Sequence, residues 1–189
     1  MSNMEIRFGG SGGQGLILSG RLLFQAFVDA GKHAAQSQSY EPTSRGGFCN
    51  ADLVVSEGDV DYPLVSSIDY LVLLDQIGGA PSAAMIKPGA LVLIDSRLVP
   101  APPVGDFTLH QAPFTDEAIA LGSHRAANVV ALGSLVALSG ICDRETVAAA
   151  VRAGTPKAFL DLNLVALQRG FEIADAMEAV DTIAKVVQL

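Results

Sequence analysis

Cysteine is scarce in this sequence, and its scarcity removes a block of chemistry. Two occur among 189 residues, Cys49 and Cys142. They show no C-x-x-C spacing and no nearby histidine partner. Neither a zinc site nor a four-cysteine iron–sulfur site can be built from such a chain alone. Buried, reduced thiols and a cytoplasmic setting are the expectation. Basic residues are also few: 12 lysines and arginines stand against 20 acids, for a net charge of −8. Nucleic-acid binding and polybasic membrane anchoring both need a basic face, so both are disfavoured. A long apolar run is missing as well. The most apolar stretch, Ala126–Ile141, is interrupted by Asn128, Gly133, Ser134, Ser139 and Gly140. It falls short of the roughly 20 residues needed to span a bilayer. It reads as a buried or interface helix. Met1–Arg7 lacks the basic region and apolar run of a signal peptide.

What is present suits one folded domain over residues 1–189. Half the residues are hydrophobic and 17% are charged, which supports a full core and excludes disorder as the main state. Met4–Phe8 predicts a first strand. Leu16–Ala30 predicts a helix, with Leu18, Leu22, Leu23, Phe27 and Ala30 at helical spacing and Gly31 to end it. Ala34–Ser37 suits a second strand. Phe48–Ser56 alternates as a sheet strand with one wetter side. Ile68–Asp75 and Ala90–Asp95 are continuous apolar runs, fitting central parallel strands covered on both faces. Ser82–Ile86 suits one or two helical turns before a Lys87-Pro88-Gly89 turn, and Phe107–Ala112 a further strand. Thr115–Leu121, His124–Ser139, Arg144–Val151 and Pro156–Glu178 carry helical spacing. Strands interleaved with helices imply an α/β protein. The expected form is a three-layer α/β/α sandwich with a mostly parallel, Rossmann-like sheet and a helical C-terminal third.

Between the first strand and first helix lies Gly10-Ser11-Gly12-Gly13-Gln14-Gly15, a G-x-G-x-x-G pattern. Glycines permit a tight turn and let backbone N–H groups approach a ligand. The helix N-terminus beyond favours an anion. An NAD site expects an acid about 20 residues on, and His33–Gln38 supplies none. A P-loop expects G-K-[ST], yet Leu16 follows Gly15. The phosphate or pyrophosphate of another cofactor remains open. So does a glycine turn that only packs a helix on the sheet.

The second unusual segment is Ser39-Tyr40-Glu41-Pro42-Thr43-Ser44-Arg45-Gly46-Gly47. Arg45 could clamp a carboxylate or phosphate with its planar fork, and Tyr40 could stack on a ring or donate its hydroxyl. The alternative is an ordered turn in which Arg45 pairs with Glu41 or a subunit partner. In a doubly wound sheet this loop shares an edge with the glycine loop. Asp75 and Asp95, at strand ends, read as caps or turn formers. His110 and His124 have no visible metal or relay partner. Asn128 reads as a satisfied core amide, with contact to the glycine loop as the alternative.

Taken together, these loops resemble the γ subunit, or fused γ domain, of the pyruvate/2-oxoacid:ferredoxin oxidoreductase family. Gly10–Gly15 is similar to its G-x-G-G-Q-G opening. Tyr40–Gly47 is similar to its Y-G-P-E-x-R-G-G loop, with Glu41 and Thr43 departing from the pattern. Val54–Glu57, Asp69–Asp75, Asn128–Gly133 and Asn163/Ala166/Gly170 follow in the family's order. The resemblance implies a reaction: 2-oxoacid, coenzyme A and oxidised ferredoxin give acyl-CoA, carbon dioxide and reduced ferredoxin. It implies α and β, and in some members δ, subunits as partners. These carry thiamine diphosphate and the iron–sulfur clusters, and ferredoxin is reached through the complex. This chain would be noncatalytic alone, with no catalytic residue and no metal of its own. Coenzyme A would contact Gly10–Gly15, Tyr40, Arg45, Gly46 and Gly47. 2-Oxoglutarate is the favoured substrate. An indolepyruvate oxidoreductase component, or a stand-alone nucleotide-binding homodimeric scaffold, are the competing readings.

Overall fold

The computed structural model describes residues 3–41, 46–60 and 62–187, and side-chain environments through residue 177. Six strands form a single sheet: β1 (Met4–Ser11), β2 (His33–Tyr40), β3 (Phe48–Ser56), β4 (Ile68–Leu73), β5 (Ile86–Asp95) and β6 (Thr108–Ala112). The order across the sheet is β2-β3-β1-β4-β5-β6. β1, β4, β5 and β6 pair in parallel, whereas β3 runs antiparallel to both β1 and β2. β3 is therefore the one reversed strand of the sheet, which is mixed within an α/β fold. The helices are α1 (Leu16–Asp29), α2 (Gly79–Ala83), α3 (Phe114–Ala120), α4 (Ala127–Ser139), α5 (Arg144–Gly154) and α6 (Lys157–Val187).

Strand periodicity divides the core. Ile6, Phe8, Val72, Leu74 and Leu93 point to one face and join buried residues of α1, α3, α4, α5 and α6. Val54, Leu71, Leu73, Val92 and Ile94 point to the other, where Val65, Ile68 and Val99 complete a smaller cluster. That second face is also where Arg7 reaches the Pro81 carbonyl, beside the five-residue α2. α4 is buried all round from Ala127 to Val136, the signature of an interior helix. It crosses α6 at bare backbone. A Cβ on Gly133 would lie 2.4 Å from the Leu167 carbonyl oxygen, and one on Gly170 would lie 2.1 Å from that of Val130.

Several boundaries differ from those the sequence predicts: β2 runs on to Tyr40, the short helix is Gly79–Ala83 rather than Ser82–Ile86, α6 extends to Val187, and two further differences alter the sheet itself. β1 continues past Phe8 to Ser11, because Gly9, Gly10 and Ser11 pair with Asn50, Cys49 and Phe48 of β3. Lys87-Pro88-Gly89 lies inside β5 rather than before it. Ile86 pairs with Ile68 and Leu91 with Tyr70, so the intervening residues bulge. Pro88 has no ladder donor and Gly89 takes φ 78°, which together make that bulge.

Candidate functional site

The carboxyl end of β1 gathers the unusual residues. Gly10 and Ser11 are still strand, so the turn proper is Gly12–Gly15. Gly13 (φ 97°) and Gly15 (φ 78°) take the left-handed conformation that glycine adopts without a Cβ penalty. Gln14 secures the turn from both sides. Its Oε1 accepts from the Ser11 N–H at 2.8 Å, and its Nε2 donates to the Leu74 carbonyl at 2.9 Å. Gly15 then opens α1. Among the described residues no side chain caps this helix, and its first turn holds no acid. The first N–H groups of α1 thus keep their donor capacity, backed by the positive end of the helix dipole.

The second loop reaches the same place by a hairpin rather than by a crossover helix. β2 and β3 pair from His33/Ser56 to Tyr40/Cys49, and β3 pairs with β1 up to Phe48/Ser11. The hairpin tip therefore stands beside the glycine turn. The Gly12 N–H donates to the Gly47 carbonyl at 2.8 Å, and a Cβ on Gly12 would meet Gly46 and Gly47 backbone within 4 Å. Gly12, Gly46 and Gly47 are brought together. Tyr40 is exposed at the end of β2 and does not line the cleft beside the turn. Arg45 and Thr43 lie outside the described residues. Glu41 is exposed, and its N–H donates to the Phe48 carbonyl.

That cleft, about 540 Å³, lies between the glycine turn, the carboxyl end of β4 and the starts of α3 and α4. Gly12, Gly13 and Gln14 line it with Leu74, Leu98, Thr115, His124, Arg125 and Ala127. A smaller hollow of about 240 Å³ adjoins it, sharing Gly13 and Arg125 and adding Leu18, Asn128, Phe159 and Leu162. Among the described residues the Arg125 guanidinium makes no hydrogen bond or ion pair, although its backbone N–H donates to the Ser123 hydroxyl. Among the described residues nothing neutralises its charge. Sequence reasoning passes over it. The available signal is an arginine just ahead of an interior, small-residue helix, where a solvated charge has no packing role.

The strand-end acids are structural. Asp95 is fully buried and accepts backbone N–H groups from Arg97, Leu98 and Thr115 at 2.6–2.9 Å. Asp75 caps the single turn at residues 76–78 by accepting from the Ile77 N–H. Both act as the expected caps. Asn128 satisfies both of its sequence readings. It is 2% exposed, and its Nδ2 donates to the Gly15 carbonyl at 2.9 Å. Both thiols are free, Cys49 buried and Cys142 half-buried, and burial pushes each up from the ordinary thiol range.

Fold and site together define an α/β domain in which a glycine turn, leading into an uncapped helix, and an arginine without a partner among the described residues surround one cleft at the carboxyl end of the first strand. The chain belongs to the pyruvate ferredoxin/flavodoxin oxidoreductase family, whose model matches residues 5–173. Within that family it is a γ-type subunit of a 2-oxoacid:ferredoxin oxidoreductase. It is 39% identical to the 2-oxoglutarate synthase subunit KorC of Methanocaldococcus jannaschii, over 90% of this chain and 93% of that one. The KorC subunit of Archaeoglobus fulgidus is 33% identical over 98% of this chain and 95% of its own. Among solved structures, the γ subunit of a keto/oxoacid ferredoxin oxidoreductase from Geobacter sulfurreducens superposes with a TM-score of 0.82 at 39% identity, covering 92% of this chain and 99% of that one. A 2-oxoglutarate:ferredoxin oxidoreductase from Magnetococcus marinus shares the fold, with a TM-score of 0.82 at 22% identity over 93% of this chain and 32% of the larger chain. Among the described residues no helix is long and apolar enough to cross a membrane.

Proposed function

We propose that this chain is the γ subunit of a 2-oxoglutarate:ferredoxin oxidoreductase and contributes the anion-binding part of its coenzyme A site. The observation that carries the coenzyme A reading is the cleft itself: a glycine turn leading into the uncapped N-terminus of α1, and an arginine with no partner among the described residues, line one hollow. A diphosphate needs such a combination of fixed amides and a mobile cation. Its volume lies within the usual range for small-molecule sites. Within Gly10–Gly15, the amides of Gly13, Gly15 and the first residues of α1 receive the phosphates, while Gly10, Ser11, Gly12 and Gln14, with the adjoining Gly46 and Gly47, shape the turn that presents them, and Arg125 neutralises them. Arg45, outside the described residues but next in sequence to Gly46, is on sequence grounds the second candidate cation, and Tyr40 flanks the approach.

In this reading the chain binds and orients while the chemistry proceeds on partner subunits. Decarboxylation of the 2-oxoacid belongs to thiamine diphosphate on the α and β components, and electrons leave through their iron–sulfur clusters to ferredoxin, with a δ component where one is present. The preference for 2-oxoglutarate over arylpyruvates is supported by the KorC relatives, at 33–39% identity over most of the chain, against 27% for an indolepyruvate oxidoreductase subunit. A reaction that draws on 2-oxoacids, coenzyme A and ferredoxin supports a cytoplasmic setting for the complex.

The test is calorimetric titration of coenzyme A into the assembled complex and into the full isolated chain, each as wild type, Arg125→Ala and Arg45→Ala. Losing a charge-assisted phosphate contact should weaken binding about tenfold or more. Absence of binding by both the complex and the isolated chain would refute the coenzyme A role. Equal turnover on all 2-oxoacids by the assembled complex would refute the assignment to 2-oxoglutarate.

A further inference from the structure

The glycine turn and Arg125 come from distant parts of the chain, so something must fix their separation. One buried residue touches both elements. Asn128 stands one helical turn after Arg125, on the first turn of α4. Its Nδ2 donates to the Gly15 carbonyl at 2.9 Å and to the Ser19 hydroxyl at 3.1 Å. Ser19 answers by donating its hydroxyl proton to the Asn128 backbone carbonyl at 3.1 Å. Asn128 is 2% exposed and Ser19 fully buried, so water does not compete for these bonds.

We propose that Asn128 is a positioning residue that holds the Arg125 guanidinium in register with the glycine-turn amides. This rests on the coenzyme A reading above. Three features support it. The amide of Asn128 meets the backbone of Gly15, the residue that closes the turn, rather than a neutral part of α1. The closeness leaves no space for any other residue there, since a Cβ on Gly15 would lie 2.7 Å from Nδ2. An apolar side chain at 128 would fill the core equally well but would leave the position of α4 against the turn to packing alone. Directional bonds fix a distance more sharply than dispersion contacts do.

The experiment uses the assembled complex and follows kcat, KM for coenzyme A and KM for 2-oxoglutarate. Asn128→Ala should raise the coenzyme A KM about tenfold, as expected for a misplaced binding group, while the 2-oxoglutarate KM stays within about twofold. Ser19→Ala removes one of the two acceptors and keeps the Gly15 contact, so it should raise the same KM about two- to threefold. A packing role alone would lower the melting temperature and move both KM values together or neither; that result would overturn the proposal. Should Asn128→Ala fail to fold, an unchanged coenzyme A KM in Ser19→Ala would overturn it equally. Arg125→Ala separates the two levels. If it raises the coenzyme A KM and the Asn128 and Ser19 variants do not, only the positioning role falls. If none of the three changes it, the coenzyme A reading falls first.

Discussion

Arg7 and Asp52 face each other across β1 and β3, each less than a tenth exposed. Two bonds of 2.7 Å join the guanidinium fork to the carboxylate, from Nε to Oδ1 and from Nη2 to Oδ2. The remaining nitrogen, Nη1, reaches the Pro81 carbonyl and the Met85 sulfur. A buried pair adds little net stability once desolvation is counted, yet breaking it strands a charge. Asp52→Asn should therefore destabilise the chain by about 3–5 kcal/mol, read as a lower urea midpoint with an unchanged denaturant slope. Replacing both residues with apolar side chains of similar volume should recover much of that loss. The alternation of residues 48–56 already puts Asp52 on the polar side of its strand, but that side is buried rather than wet, since β3 is covered on both faces. Its partner is invisible in the sequence, because pairing across 45 positions depends on sheet register. The same limit hides Arg125. Whether an arginine meets a counter-charge is a tertiary fact, and no local pattern records it.

At the scale of elements, the contact of α4 with α6 is set by two glycines and one serine. Gly133 and Gly170 let the backbones touch, and the Ser134 hydroxyl donates to the Gly170 carbonyl at 2.9 Å. Gly170→Ala places a methyl group 2.1 Å from the Val130 carbonyl oxygen, so the helices must separate. The expected cost is about 3 kcal/mol, at the upper end of usual overpacking penalties. Chemical denaturation of Gly170→Ala beside Gly170→Ser would check it, with serine at least as harmful. Helix positions were legible here because apolar spacing persists over many residues. The strand at residues 48–56 was legible because Cys49, Ala51, Leu53 and Val55 alternate, although Phe48 and Val54 interrupt the polar face. The end of β1 was not, since glycines mark turns more often than strands. Nor was the reversal of β3: a strand's side-chain alternation reads the same in either direction.

For the whole molecule, the two thiols report different depths of opening. Cys49 lies in β3 between β1 and β2, whereas Cys142 lies between α4 and α5. Burial raises both above the usual thiol range, so each is protonated at neutral pH and reacts slowly while folded. Labelling with a maleimide at pH 7 should modify Cys142 first, through local opening. Cys49 should follow only at the rate of global unfolding. Mass spectrometry of the time course separates the two. Equal rates would mean that β3 opens as readily as the loop before α5.

The hairpin of β2 and β3 carries one further consequence. Its tip reaches the glycine turn only because β3 is laddered to β1. Sliding that ladder by one residue would turn every side chain of β3 to the wrong face, so only even slips keep the core intact. Each permitted slip moves the tip by about 7 Å, more than the width of a phosphate. Evolution or design can thus adjust this edge of the cleft in coarse notches, like a belt, and fine fitting must come from the loop residues at the buckle.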